Sequence, residues 1–176
     1  MDRTNTWWWK ALSCIVILAV AGSIGLVLKQ PWLFPSLGPT VVLMLESPAE
    51  PAARLTNALV GHLVAVVAGL GSLVVGGMYG QPSAPTAGLS PRYVVAGVRS
   101  VAVTMVVLMA LKRPHPPAGA TTLLVSLGIL TTPAELASVL GAVVVVATLS
   151  WLAASAARRD KEASATSTHG PRRARG

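Results

Sequence analysis

The residues best placed to do chemistry in this chain carry almost no charge. Residues 113–122 read RPHPPAGATT, and residues 35–40 read PSLGPT. Both lie beside long apolar runs, where proline and glycine are a poor recipe for helix. Proline fixes φ and removes a donor, so each segment is expected to enter extended and to start a helix just afterwards. A helix start offers unpaired N–H groups and about half a positive charge, an anion site that needs no cationic side chain. Gly38 and Thr40 in the first segment fit such a site, as do Ala118, Gly119, Ala120 and Thr121 in the second. Their small side chains allow close backbone approach, and the threonines add hydroxyl donors. The expected ligand is a small inorganic anion. Counted from Lys112 at the interface at ~3.1 Å per residue, Gly119 would lie roughly 20 Å deep, near the midplane.

Three ionisable residues fall in or beside the same apolar runs. Arg99, about 9 Å along its run by helical rise, could raise the local anion concentration or extend toward the headgroups. His62, after Gly61, could bond a neighbouring helix or respond to protons. His115, flanked by Pro114 and by Pro116 and Pro117, could hold the extended stretch by a hydrogen bond. Neither the histidines nor the single Cys14 has metal-ligand spacing, so no metal and no cofactor are expected. No nucleophile–base set or phosphate loop is present, and the chain reads as a non-enzyme.

These residues need elements to hold them. Of 176 residues 53% are hydrophobic and 11% charged, with a mean hydropathy of +0.65; ordinary soluble domains carry about 25% charged residues. Residues 11–28, 55–80, 93–111 and 136–157 are apolar runs near the ~20 residues a helix needs to cross a bilayer. The first has no small-residue cleavage site after it and is read as a retained span, anchored at the interface by Trp7, Trp8 and Trp9. Nothing resembles an organelle transit peptide, which points to the plasma (inner) membrane of a prokaryote. The net charge of +8 owes six of its basic residues to the tail 158–176. That tail lacks apolar periodicity and is expected to be disordered and cytoplasmic, touching anionic lipid and not nucleic acid.

An offset of 81 residues lays the chain over itself, Pro35 on Pro116, Gly38 on Gly119 and Thr40 on Thr121. The fold class expected is an all-α membrane protein of two repeats, residues 11–80 and 93–157, after a cytoplasmic N-terminus at 1–10. Each repeat holds two long transmembrane helices flanking a Pro/Gly-broken half-helix: Val41–Leu45 in the first, ending with Leu123–Leu130 in the second. Re-entrant half-helices would give four crossings and parallel halves. Half-helices that complete a crossing would give six crossings and inverted halves. The distribution of Lys and Arg favours the inverted form with both termini cytoplasmic. Paired broken segments at matching places are the sequence pointer to a transporter site. Spans this few seldom enclose a path alone, so a homo-oligomer is expected.

The string PHPPAGATTLL resembles the signature of the HPP family of integral membrane proteins, and LGPTVVLMLESPAEPAARLTNALVGHL is similar to that family's upstream pattern. The positions that match are Gly38, Thr40, Pro48, Pro51, Asn57, Gly61, His62, His115, Pro116, Pro117, Gly119 and Thr121. The resemblance implies a small multi-span protein, and members described as nitrite transporters make nitrite the leading substrate. Pro39, Glu46 and the stretch Arg54-Leu55-Thr56 depart from the pattern around the first half-helix. A structural or assembly protein that packs against a partner is the rival expectation.

Overall fold

In lipid a backbone has no partner but itself, so the long apolar runs close as helices. The computed structural model describes residues 7–168. In chain order its helices are α1 (Trp7–Leu28), α2 (Leu37–Glu46), α3 (Leu55–Val75), α4 (Ala84–Ala87), α5 (Pro91–Ala110), α6 (Ala118–Ser126) and α7 (Pro133–Thr168), with a 3-10 turn at Pro51–Ala53. The described residues contain no strand. The helices α1, α3 and α5, with Pro133–Asp160 of α7, are long and apolar enough to cross a membrane. Helices α2 and α6, of 10 and 9 residues, reach only about 15 Å each.

The stops are local chemistry. Lys29 and Lys112 adopt φ of 52° and 54°. The next N–H in each case folds back five residues, Gln30 to the Gly25 carbonyl at 3.0 Å and Arg113 to the Leu108 carbonyl at 2.9 Å. This is the Schellman stop, usually made by glycine. Here the lysine cation at a helix C-terminus offsets part of the strain, and Pro31 and Pro114 prevent the helix from resuming. Gly77 and Gly128, at φ 67° and 75°, end α3 and α6 in the same manner. Gly128 therefore stops the second half-helix at Ser126, short of the expected Leu130. The first begins at Leu37 instead of Val41. Its Pro39 falls in the first turn, where a missing N–H is not needed.

Neighbouring side chains give the direction of each element. Leu33 and Trp32 pack against Gly22 and Gly25 late in α1, whereas Leu45 and Glu46 of α2 share a cavity with Trp7 and Lys10 at the start of α1. The first broken segment thus traverses the bundle from end to end. The second does so in the other sense. It leaves the C-terminal end of α5, and Leu127 at its close accepts a hydrogen bond from Ala84 N–H. Arg158 near the end of α7 reaches the Pro48 carbonyl, so the two ends of the described chain share one end of the bundle.

The core joins α1, α2, α3, α6 and α7 through Ile17, Ala21, Leu37, Val41, Val66, Val125, Val139, Val143 and Val146. Helix α7 continues through residues 158–168, which were expected to be disordered; Ala, Arg, Lys and Glu there are good helix formers. Residues 169–176 of that tail, and 1–6 of the N-terminus, lie outside the described residues.

Candidate functional site

Helix α3 brings the two half-helices together. Gly61, Ala65 and Gly69 form a buried stripe at spacing four along it, and small residues at that spacing let helices approach closely in a membrane. A methyl group on Gly61 would lie 2.9 Å from His115 Cβ, and one on Gly69 would lie 2.9 Å from the Thr122 carbonyl oxygen. Helix α6 therefore runs parallel to α3 and almost touches its backbone. On its other side Thr104 of α5 and Thr122 of α6 share a hydroxyl hydrogen bond of 2.9 Å.

That approach buries a cluster of polar side chains: Ser36, Thr40, His62, His115 and Thr121, all at most 2% exposed. Thr40 Oγ1 donates to the Ser36 carbonyl at 2.9 Å. It also lies 3.2 Å from His62 Nε2 and 3.5 Å from His115 Nε2. On the far side of the His62 ring, Nδ1 meets Thr121 Oγ1 at 2.8 Å, and Thr121 Oγ1 donates to Ser36 Oγ at 2.8 Å. The two imidazoles stand edge to face with centroids 5.1 Å apart. Thr40 and Thr121, the equivalent residues of the two broken segments, are thus bridged by one histidine.

Outside the cluster, His115 Nδ1 donates to the Ala52 carbonyl at 2.9 Å. The turn that presents this carbonyl is held by Asn57, whose amide donates to the Pro51 carbonyl at 2.8 Å. The start of α6 differs from the expectation of free N–H groups. Ala118, Gly119 and Ala120 N–H each bond the carbonyl three residues back, at 3.1, 3.0 and 3.2 Å. Pro117 is already helical at φ −57° and ψ −22°, which closes a tight first turn. Only residues 113–115 lie outside helix and turn, at most about 9 Å of extended chain and less than the depth expected for Gly119. The polar groups gathered here are hydroxyls and imidazoles, bonded chiefly to one another and to nearby carbonyls.

Gly38 and Gly119 do not pack: a methyl group on either would meet nothing within 4 Å. Gly119 instead faces a cavity of about 610 Å³ between α5 and α6. Val101, Met105, Leu108 and Met109 form its apolar wall, and Lys112 and His115 supply its ionisable groups. Arg99 stands apart. It donates from Nη2 to the Ser72 carbonyl at 2.9 Å, and Ser72 lies ten residues beyond His62 on α3, about 15 Å away along the helix. Arg99→Ala is expected to loosen α3 from α5 by less than about 1 kcal/mol, as for other exposed polar links. Chemical unfolding in micelles would read that loss, and one above about 3 kcal/mol would mark Arg99 as a buried strut instead.

Among the described residues no three His, Cys, Asp or Glu side chains converge as a metal set. Ser36 was not among the candidate residues. It sits where the other half has Pro117, so comparing the halves passed it over, although serine just before a helix is itself a signal.

The motif residues thus occupy one connected place, and the transmembrane-region profile of the HPP family matches residues 1–165. This chain belongs to the HPP family. No curated protein and no solved structure matches it. In this HPP protein the His-Pro-Pro string has a mechanical reading. His115 hangs between the Ala52 carbonyl and Thr40, while Pro116 and Pro117 make the tight turn that starts α6.

Proposed function

We propose that this HPP protein carries a small monovalent anion across the membrane, nitrite being the leading candidate. The observation that supports this most is the bridge Thr40–His62–Thr121: buried hydroxyls from both broken segments meet one histidine, beside a cavity lined by Lys112 and Gly119. Buried polar groups inside a membrane bundle are expensive and tend to mark a pathway. The bridge is about 10 Å from the start of α3 by helical rise, so the site is off-centre, toward the end of the bundle that holds both chain ends. The two halves, each long helix, broken segment and long helix, are read as inverted repeats. Basic residues near the shared end favour a cytoplasmic location for it, in the plasma membrane of a prokaryote. The exposed apolar faces of α1 and α5 suit lipid or a second copy of the chain. Arg99, near the opposite end, would attract anions at that mouth.

The closure of the polar cluster favours a second reading, an assembly protein in which the bridge serves only to lock α2 against α6. Flux separates the two. Proteoliposomes holding only this protein, offered nitrite, nitrate, formate or chloride, are expected to take up nitrite saturably. Gly119→Leu is expected to cut uptake at least about tenfold by filling the cavity, with little loss of stability because the first added carbon meets no atom. Full uptake by Gly119→Leu would remove the cavity from the path. No flux of any anion from folded wild-type protein would leave the assembly reading.

A further inference from the structure

We propose that His62 and His115 form a proton site, with the proton bound at an Nε2 facing Thr40 and coupled to the anion, so that anion and proton cross together; the coupling rests on the anion reading above. The cluster holds one hydrogen too few for its acceptors. A carbonyl only accepts, so His115 Nδ1 carries the hydrogen that reaches Ala52, and the neutral ring has a bare Nε2. Thr121 gives its hydrogen to Ser36 Oγ, so His62 Nδ1 must donate to Thr121 Oγ1, and its neutral ring also has a bare Nε2. Both bare nitrogens point at Thr40 Oγ1, at 3.2 and 3.5 Å. That hydroxyl has one hydrogen, directed at the Ser36 carbonyl. Turning it toward His62 would leave His115 without one, and turning it toward His115 would leave His62 without one. Whichever way it points, three lone-pair-bearing atoms meet with a hydrogen missing. Buried polar groups are rarely left so.

One added proton completes the arrangement. On either Nε2 it makes an N–H that donates to Thr40 Oγ1, and the other bonds stay as they are. The result is a cation in a membrane-buried cluster whose hydrogen-bond network, among the described residues, holds no carboxylate. The charged groups on the surrounding elements are Glu46 at the end of α2, Glu50 and Arg54 flanking the Pro51–Ala53 turn, Lys112 and Arg113 before His115, and Arg92 and Arg99 on α5. Helix α7 carries Glu135 at its start, bonded to Thr131 and Thr132 N–H, and no further charge until Arg158. An anion in the cavity walled by His115 and Lys112 is the missing countercharge. Each of the pair then strengthens binding of the other by the same factor.

Two readouts on the full-length protein test this. The first uses proteoliposomes with a luminal pH dye and the membrane potential clamped at zero, corrected for protein-free vesicles. Nitrite entry is expected to acidify the lumen by about one proton per anion. His115→Asn keeps a donor for the Ala52 carbonyl but has no titratable Nε2. It is expected to lose pH-gradient-driven uptake at least about tenfold. The second is 15N NMR of histidine-labelled protein in micelles. Both buried rings are expected as Nδ1–H tautomers at high pH, and nitrite at fixed pH is expected to protonate one of them. Nitrite entry without acidification overturns the coupling and leaves anion transport standing. Absence of all flux overturns transport, and the NMR result then decides the proton site alone. Rings that stay neutral on nitrite addition overturn the proton site in either case.

Discussion

Adding one methyl group at Gly69 is expected to destabilise the folded protein by about 1–3 kcal/mol, the usual cost of overpacking a close contact. The same change at Gly119 should cost almost nothing. The difference is one of surroundings. At Gly69 the new carbon would sit 2.8 Å from Val125 Cβ and 2.9 Å from the Thr122 carbonyl oxygen, and neither can swing away as a side-chain tip would. At Gly119 it would enter the cavity. Helices in lipid gain no hydrophobic advantage from meeting, so a lost fit between backbones has little to replace it. Gly61→Ala occupies the middle ground and should do something different. Its methyl group would press on His115 Cβ at 2.9 Å and His115 Cδ2 at 3.3 Å, moving the ring that faces Thr40. Unfolding midpoints in micelles, measured for the three alanine variants together, check the order. Equal midpoints for Gly69→Ala and Gly119→Ala would mean that α6 does not lean on α3 as described.

The sequence displayed the pieces of the site but not their assembly. Thr40 and Thr121 were visible because both follow a Pro/Gly break at one offset. His62 looked like a lone imidazole on an apolar helix. Its two partners lie 22 and 59 residues away, and no periodicity reports a contact at that range. The depth of Gly119 was overestimated for a simpler reason. Proline fixes φ and leaves ψ free, so Pro116-Pro117 reads equally as extended chain or as the helical turn it makes. The end of α6 was written in Gly128 and was masked by apolar Ile129 and Leu130, which continue past the helix. Arg99 was drawn into the site by its charge alone; a position on the exposed side of α5, bonded to Ser72, depends on helix packing that charge does not reveal.

His62→Leu should carry the largest functional effect in the molecule. The ring accepts or donates at both nitrogens, to Thr40 on α2 and Thr121 on α6. Leucine of similar size removes one partner from each hydroxyl, while Thr40 keeps the Ser36 carbonyl and Thr121 keeps Ser36 Oγ, a loss of about 1 kcal/mol for a typical hydrogen bond. Nitrite uptake in proteoliposomes should fall to the protein-free level. Loss of flux in this variant alone does not distinguish a broken path from a weakened fold, so the informative protein is the triple variant Thr40→Val, His62→Leu, Thr121→Val. Replacing the ring together with the two hydroxyls it bridges removes most of the mismatch, and leaves Ser36 Oγ and His115 Nε2 as the groups that lose a partner. The three changes touch one network and should not add. The triple variant is therefore expected to recover part of the stability lost in His62→Leu while remaining without uptake, because the Thr40–His62–Thr121 bridge is gone. Recovery of uptake together with stability would show that the bridge only holds α2 to α6. The polar cluster would then be a fastener, and the route of the anion would have to lie along the cavity wall instead.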